Sequence, residues 1–192
     1  MSKTLYCIRH GFAIHNKLYH LIGNKAYREY RDTHLLMEGR EQAKHLRQNW
    51  KEINAVELVI ASPSDRTLET AVLIFRNRPI IALDCLLEYP MGGTDICNWR
   101  MDRSELGILY PYVNLSLIKK EKLEWKATNE SVEQLNSRIQ EMKNWIYARP
   151  EQTIAIVGHS SFLGQFKDGI IGDEKHELKH CFPYKIKIPM VD

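Results

Sequence analysis

Thr4-Leu5-Tyr6-Cys7-Ile8-Arg9-His10-Gly11 is an apolar, β-prone run that breaks at once into an arginine, a histidine and a glycine. Its length suits a buried strand and is too short for a helix. Leu58–Ala61, Ile80–Leu83 and Thr153–Val157 repeat the pattern. Helical periodicity fills the gaps between these runs. Glu38–Trp50 puts Ala43, Leu46 and Trp50 on one face, and Arg66–Phe75 repeats Leu68, Ala71, Val72 and Phe75. Ser131–Tyr147 carries Leu135, Ile139, Met142, Trp145 and Ile146, then stops before Pro150. Tyr184–Ile188 reads as a last strand. Strands alternating with helices predict an α/β fold on a largely parallel sheet.

The bulk properties agree with one soluble domain over residues 1–192. No repeat, low-complexity tract or Gly/Ser linker divides the chain. A net charge of +3 is compatible with an anionic ligand without requiring one. Cys7, Cys85, Cys97 and Cys181 are far apart and outline no disulfide framework. No apolar run approaches a membrane span, and residues 1–8 are too short in their apolar part for a signal peptide. The expectation is a cytoplasmic protein with no membrane or nucleic-acid partner. Oligomeric state is not readable.

Ligands of open α/β sheets bind beyond the carboxyl ends of the strands. Three strands run straight into polar residues there: Arg9-His10-Gly11, Ser62 to Arg66, and Gly158-His159-Ser160. Two guanidiniums suit phosphoryl oxygens, because arginine's planar fork makes paired, charge-assisted bonds to them. A neutral imidazole among them is a nucleophile toward phosphorus, and a carboxyl nearby can protonate the leaving alkoxide.

On these residues the chain resembles the histidine phosphatase superfamily, in its phosphoglycerate mutase-like branch. Arg9-His10-Gly11 is similar to the family's strand-end motif, with Asn16 six residues after the histidine. Asp32, Leu35, Gly39, Gln42 and Ala43 match its D-x-x-L-x-x-x-G-x-x-Q-A signature. Ser62-Pro63, Arg66-Thr67 and Thr70-Ala71 match S-P-x-x-R-T-x-x-T-A. Glu88 and Gly158-His159 follow the third and fourth strands in order.

The resemblance implies a three-layer sandwich with a mostly parallel mixed sheet flanked by helices. It also implies His10 as a nucleophile forming phosphohistidine, and Glu88 as general acid and base. Arg9, Arg66 and His159 would hold the transferring phosphoryl group, assisted by Asn16. No cofactor and no metal ligand set is expected. The substrate would be a small phosphorylated metabolite, hydrolysed; mutase-type phosphoryl transfer and a silent phospholigand-binding protein are the alternatives. Tyr89 to Thr94 does not match the R-x-Y-G-x-L-x-G that follows the acid in mutases, which favours hydrolysis.

Three positions depart from the family pattern. Phe12 replaces a residue that is often polar, Ser160 one that is often glycine, and Leu36 a threonine that would cap a helix. Losing such a cap costs about 1 kcal/mol unless Asp32 or Thr33 substitutes. Arg100 or Arg103, with Lys17 or His15, is the expected recognition set for further anionic groups on the substrate. The segment at about 89–129 reads as an insertion, either a surface excursion or a substrate lid. His176-Glu177-Leu178-Lys179-His180 spells a zinc-binding H-E-x-x-H. Its polar surroundings and the nearby Pro183 favour a solvated turn instead.

Overall fold

Alternation along β1 (Ser2–Arg9) explains the layering of this computed structural model, which describes residues 2–123, 126–172 and 175–189. Leu5 and Cys7 point into one core and Tyr6 and Ile8 into another, on opposite faces of the strand. The other strands are β2 (Leu58–Ala61), β3 (Ile80–Ala82), β4 (Val113–Asn114), β5 (Thr153–Gly158) and β6 (Pro183–Pro189). They form a sheet of order β4-β3-β2-β5-β1-β6. Every pairing is parallel except β6 against β1.

Helices α2 (Met37–Asn49) and α3 (Asp65–Ile74) cover one face with Ala43, Leu46, Leu68, Ala71 and Ile74. The other face is covered by α5 (Val132–Tyr147) and α6 (Ser160–Asp168) through Leu135, Ile139, Met142, Phe162 and Leu163. This is the three-layer mixed sandwich expected. Helix α5 begins at a capping box in which the Ser131 hydroxyl accepts from the Gln134 N–H. All four cysteines are buried and free. Among the described residues no helix is long and apolar enough to cross a membrane.

The 89–129 segment is more than an excursion, although its positions 124 and 125 lie outside the described residues. Its helix α4 (Arg103–Leu109) buries Leu106 completely, and β4 extends the sheet beyond β3. Val113 and Ile118 join the same core as β1 and α2. Of its described residues, those that reach the strand-end cavity described below belong to its first part, around Tyr89 to Asn98.

Helix α1 (Ile14–Ile22) follows β1 after a tight loop, and a 3-10 segment, Gly23–Arg28, continues it. No side chain replaces the missing cap of α2: Leu36 is its N-cap without a side-chain bond. Asp32 instead accepts from the Asp65 N–H at 3.0 Å, and Thr33 Oγ1 lies 2.6 Å from His15 Nδ1. The loop after β1 anchors α2 in place of a cap. Leu36 N–H donates to Phe12 O at 3.0 Å, and Gln42 Oε1 accepts from the Phe12 N–H at 2.9 Å.

That anchoring brings two glycine backbones together. A Cβ on Gly39 would stand 2.2 Å from Phe12 O, and one on Gly11 2.5 Å from Gly39 O. Gly39→Ala is therefore expected to destabilise the protein by about 1–3 kcal/mol, as overpacking does. Gly107→Ala, whose new methyl would meet only Leu115 Cδ1 at 3.9 Å, should be neutral or stabilising by up to ~1 kcal/mol. Urea unfolding midpoints compare the two; equal midpoints would refute the glycine contact as a packing constraint.

Candidate active site

Strand register sets the site. Arg9 pairs with Gly158 and Ala61 with Val157, so β1, β5 and β2 end level with one another. The residues that follow them, His10, His159 and Ser62, therefore meet at one edge of the sheet. A cavity of about 750 Å³ opens there, lined by Arg9, His10, His15, Asn16, Arg66 and Glu88 among others.

His10 is almost fully buried, and its Nδ1 lies 2.7 Å from the carbonyl oxygen of Gly11. A carbonyl only accepts, so Nδ1 carries the hydrogen and Nε2 keeps its lone pair. Burial holds the ring well below the ordinary histidine pKa, and Arg66, His159, Arg9 and His180 add to that effect. The imidazole is neutral at physiological pH and presents one basic nitrogen.

Two guanidiniums flank it. Arg66 Nη1 donates to Cys97 O at 2.8 Å and Nη2 to Asn98 Oδ1 at 2.9 Å. Arg9 Nη1 donates to Leu178 O at 2.8 Å, and its Nη2 pairs with Glu177 at 2.6 Å. The Nε–H of each is buried and has no acceptor among the described residues. Unmet charged donors in a cavity wall are costly unless an anion satisfies them. Arg66 does not pair with Asp65 or Glu69: Asp65 bonds His34 and Tyr110, and Glu69 bonds Arg40 at 2.6 Å.

His159 stands behind His10, with ring centroids 5.4 Å apart. Its Nδ1 is 3.3 Å from Arg66 Nη2 and its Nε2 2.8 Å from Ser62 Oγ. Arginine only donates, so Nδ1 is the acceptor and Nε2–H points to Ser62. Burial depresses this histidine too, with Arg66 second. Asn16 Oδ1 accepts from the Ala13 N–H at 2.9 Å, which leaves its NH₂ for the cavity. His15 packs edge-on to His10, with centroids 5.6 Å apart.

Glu88 lies at the start of α6. Its Oε1 accepts from the N–H groups of Tyr89 at 2.8 Å and Phe162 at 3.0 Å, and its Oε2 from that of Ser161 at 3.3 Å. Those bonds favour the carboxylate, but burial outweighs them and raises the pKa above the usual glutamate value. Glu57 takes no part in the site: it accepts from the Gln152 and Thr153 N–H groups at the other end of β5. Glu88 lines His10's cavity with a raised pKa, whereas Asp95, whose pKa burial also raises, lines it beside Arg28.

The structure removes Arg100 and Arg103 from the substrate-binding set. Arg100 is fully buried, and its nitrogens are taken by Asp84 at 2.9 Å, Met101 O at 2.9 Å and Lys120 O at 2.9 Å. It is a strut inside the 89–129 segment. Arg103 pairs with Glu121 at 3.5 Å, outside the cavity lining. Lys17 is exposed and outside the lining as well.

The H-E-x-x-H segment belongs to the cavity in a way its spelling does not suggest. His180 Nδ1 lies 2.6 Å from His10 O, and its ring centroid 5.5 Å from that of His10. Glu177 meets Arg9, as above. Tyr19, His20 and Tyr27 also line the cavity, although no motif marked them. Spacing does: with His15, Asn16, Tyr19 and His20 sharing one side of α1, that helix has one face for the cavity.

The chain is 33% identical over 220 residues to a phosphoglycerate mutase-like protein of Arabidopsis thaliana, covering 92% of this chain and 79% of the relative. Its fold is similar to that of phosphoglycerate mutase from Bacillus anthracis, with TM-score 0.63 and 21% identity, covering 97% of this chain and 88% of that one. It is similar also to phosphoserine phosphatase from Entamoeba histolytica, with TM-score 0.62 and 18% identity over 95% and 89% of the two chains. The family model of the histidine phosphatase superfamily, branch 1, matches residues 5–183. With that match spanning nearly the whole chain, the protein belongs to the histidine phosphatase superfamily.

Proposed function

We propose that the protein hydrolyses phosphomonoesters through a phosphohistidine on His10. The observation that carries the reading is His10 Nε2, a free lone pair on a neutral ring, beside two buried guanidiniums whose Nε–H donors lack acceptors. The phosphoryl group binds between Arg9 and Arg66, with the Asn16 NH₂ on its third side. Nε2 attacks phosphorus, and the P–O bond to the alcohol breaks as Glu88 protonates the departing oxygen. Glu88, now a carboxylate, takes a proton from water; that water attacks phosphorus, and the P–N electron pair returns to His10. Atoms and charge balance without a metal, because fixed cations neutralise the phosphoryl oxygens. His159 acts from behind, holding Arg66 and packing on His10. A phosphatase relative such as that of Entamoeba histolytica supports the reaction class.

Hydrolysis is favoured over mutase transfer by the cavity's charges. Among the described residues its lining holds two guanidiniums, Arg9 and Arg66, and no lysine. A bisphosphorylated intermediate would need a second cationic seat. Four free, buried cysteines suit a reducing compartment, which supports the cytoplasm as the working location. The loop from Tyr89 to Asn98 forms one wall of the cavity.

An activated aryl phosphate tests the mechanism. In the presence of a chelator, wild type should release phosphate and His10→Ala should lose at least ~10³-fold in kcat/KM. Equal rates for the two proteins would dispose of the phosphohistidine. Glu88→Gln should cost roughly 10²–10⁴-fold on an alkyl phosphate and less on the aryl one. The sign of the pH dependence follows from the two shifts. His10 must be neutral, so activity falls only well below pH 6.5; Glu88 must be protonated, so activity also falls above its raised pKa. The alkaline limb should vanish in Glu88→Gln, measured against the same alkyl substrate; its persistence would reassign the acid.

A further inference from the structure

We propose that the outer part of the cavity is a slot for a flat, uncharged ring. The substrate is then a phosphomonoester whose alcohol carries an aromatic or heteroaromatic ring and no second anionic group. This deepens the hydrolase reading above and rests on it.

Ring side chains dominate the wall built from the β1–α1 loop, α1 and the 3-10 segment after it. Phe12 stacks on His20 with centroids 6.3 Å apart and planes 17° from parallel, and it meets His180 edge-on at 5.6 Å. Tyr19 and Tyr27 stack at 5.6 Å and 22°, and Tyr27 lies 6.1 Å from His15. All of them line the cavity, and Phe12, Tyr19 and Tyr27 are only partly buried. Aromatic faces left partly open beside a reaction centre offer stacking area to a planar group.

The charges argue in the same direction. Arg9 and Arg66 are committed to the phosphoryl group, and among the described residues no lysine and no third arginine lines the cavity. Besides Glu88, two carboxyl side chains do, Asp95 and Glu177, the latter paired with Arg9. Arg28, the cation beside Asp95, lies 3.9 Å from it. A phosphoglycerate-like carboxylate placed there would face like charge rather than a partner.

Pairs of substrates matched in leaving-group basicity isolate the ring: adenosine 5′-monophosphate against ribose 5-phosphate, and 2-phenylethyl phosphate against propyl phosphate. Wild type should favour the ring-bearing member by roughly 10-fold or more in kcat/KM, mostly through KM, as one stacked ring contact allows. Preference in both pairs identifies any planar ring; preference confined to adenosine identifies a nucleoside. In the double variant Phe12→Leu/Tyr27→Leu, which keeps apolar volume, each ratio should fall toward one. 2-Phenylethanol should inhibit wild type competitively. Turnover of all four esters with ratios near one would overturn the ring slot and leave the hydrolase standing. The slot is overturned in the same way if the double variant keeps the preference, or if 3-phosphoglycerate outruns 2-phenylethyl phosphate. Failure of wild type to hydrolyse any of them would overturn the hydrolase reading and the slot with it.

Discussion

The rest of the site depends on keeping two guanidinium charges buried without a carboxylate in contact with Arg66. Arg66 is 1% exposed, and the nearest acid, Asp32, stands 3.9 Å from it. Its closer partners are a carbonyl and an amide oxygen, which satisfy its hydrogens without cancelling its charge. Burying a charge that way is expensive, and the field it leaves behind has consequences. It adds to the burial that, as the larger cause, holds His10, His15 and His159 neutral, and an anion that enters recovers part of the desolvation cost. Binding energy for an anion is thus stored in the fold before a ligand arrives.

Holding such a charge requires the surrounding loops to be fixed, and Asp32 does much of that. One of its oxygens accepts from the Asp65 N–H at the start of α3, the other from the Met101 N–H at 2.8 Å. It sits at a positive φ of 41°, a conformation in which aspartate is among the more tolerant side chains. Burial pushes its pKa up to about 6, opposed mainly by Arg66. One residue therefore ties the start of α3, which carries Arg66, to the loop carrying Cys97 and Asn98, which receive Arg66.

The strands and the three long helices were legible because burial on two faces forces apolar runs and amphipathic stripes into the sequence. That Arg9, His10, Arg66 and Glu88 line one cavity was legible from the strand ends, where an α/β sheet exposes its polar residues, and for Glu88 from the family resemblance. Helix α4 and the two-residue β4 were not, since seven and two residues carry too little periodicity to read. Arg100 misled for a different reason. A basic residue near a motif reads as ligand-binding, yet charge says nothing about burial, and this guanidinium holds loop carbonyls. His180 was hidden by its own spelling: H-E-x-x-H implies a helix and a metal, whereas here a turn returns the second histidine to His10's carbonyl oxygen.

Reaction chemistry and substrate choice come from different parts of this fold. His10, His159 and Ser62 are placed by strand register, which slips only if every side chain in the strand changes faces. Phe12, Tyr19 and Tyr27 come from a loop, one helix face and a 3-10 turn, whose side chains can be exchanged without disturbing a ladder. The two sets touch at Phe12, whose backbone anchors α2 while its ring faces the cavity. Changing that ring alters the cavity wall, yet the N–H bond to Gln42 and the glycine contact behind it are made by the Phe12 backbone and by Gly11 and Gly39. The lining at this position is free to vary while the backbone geometry beneath it is not.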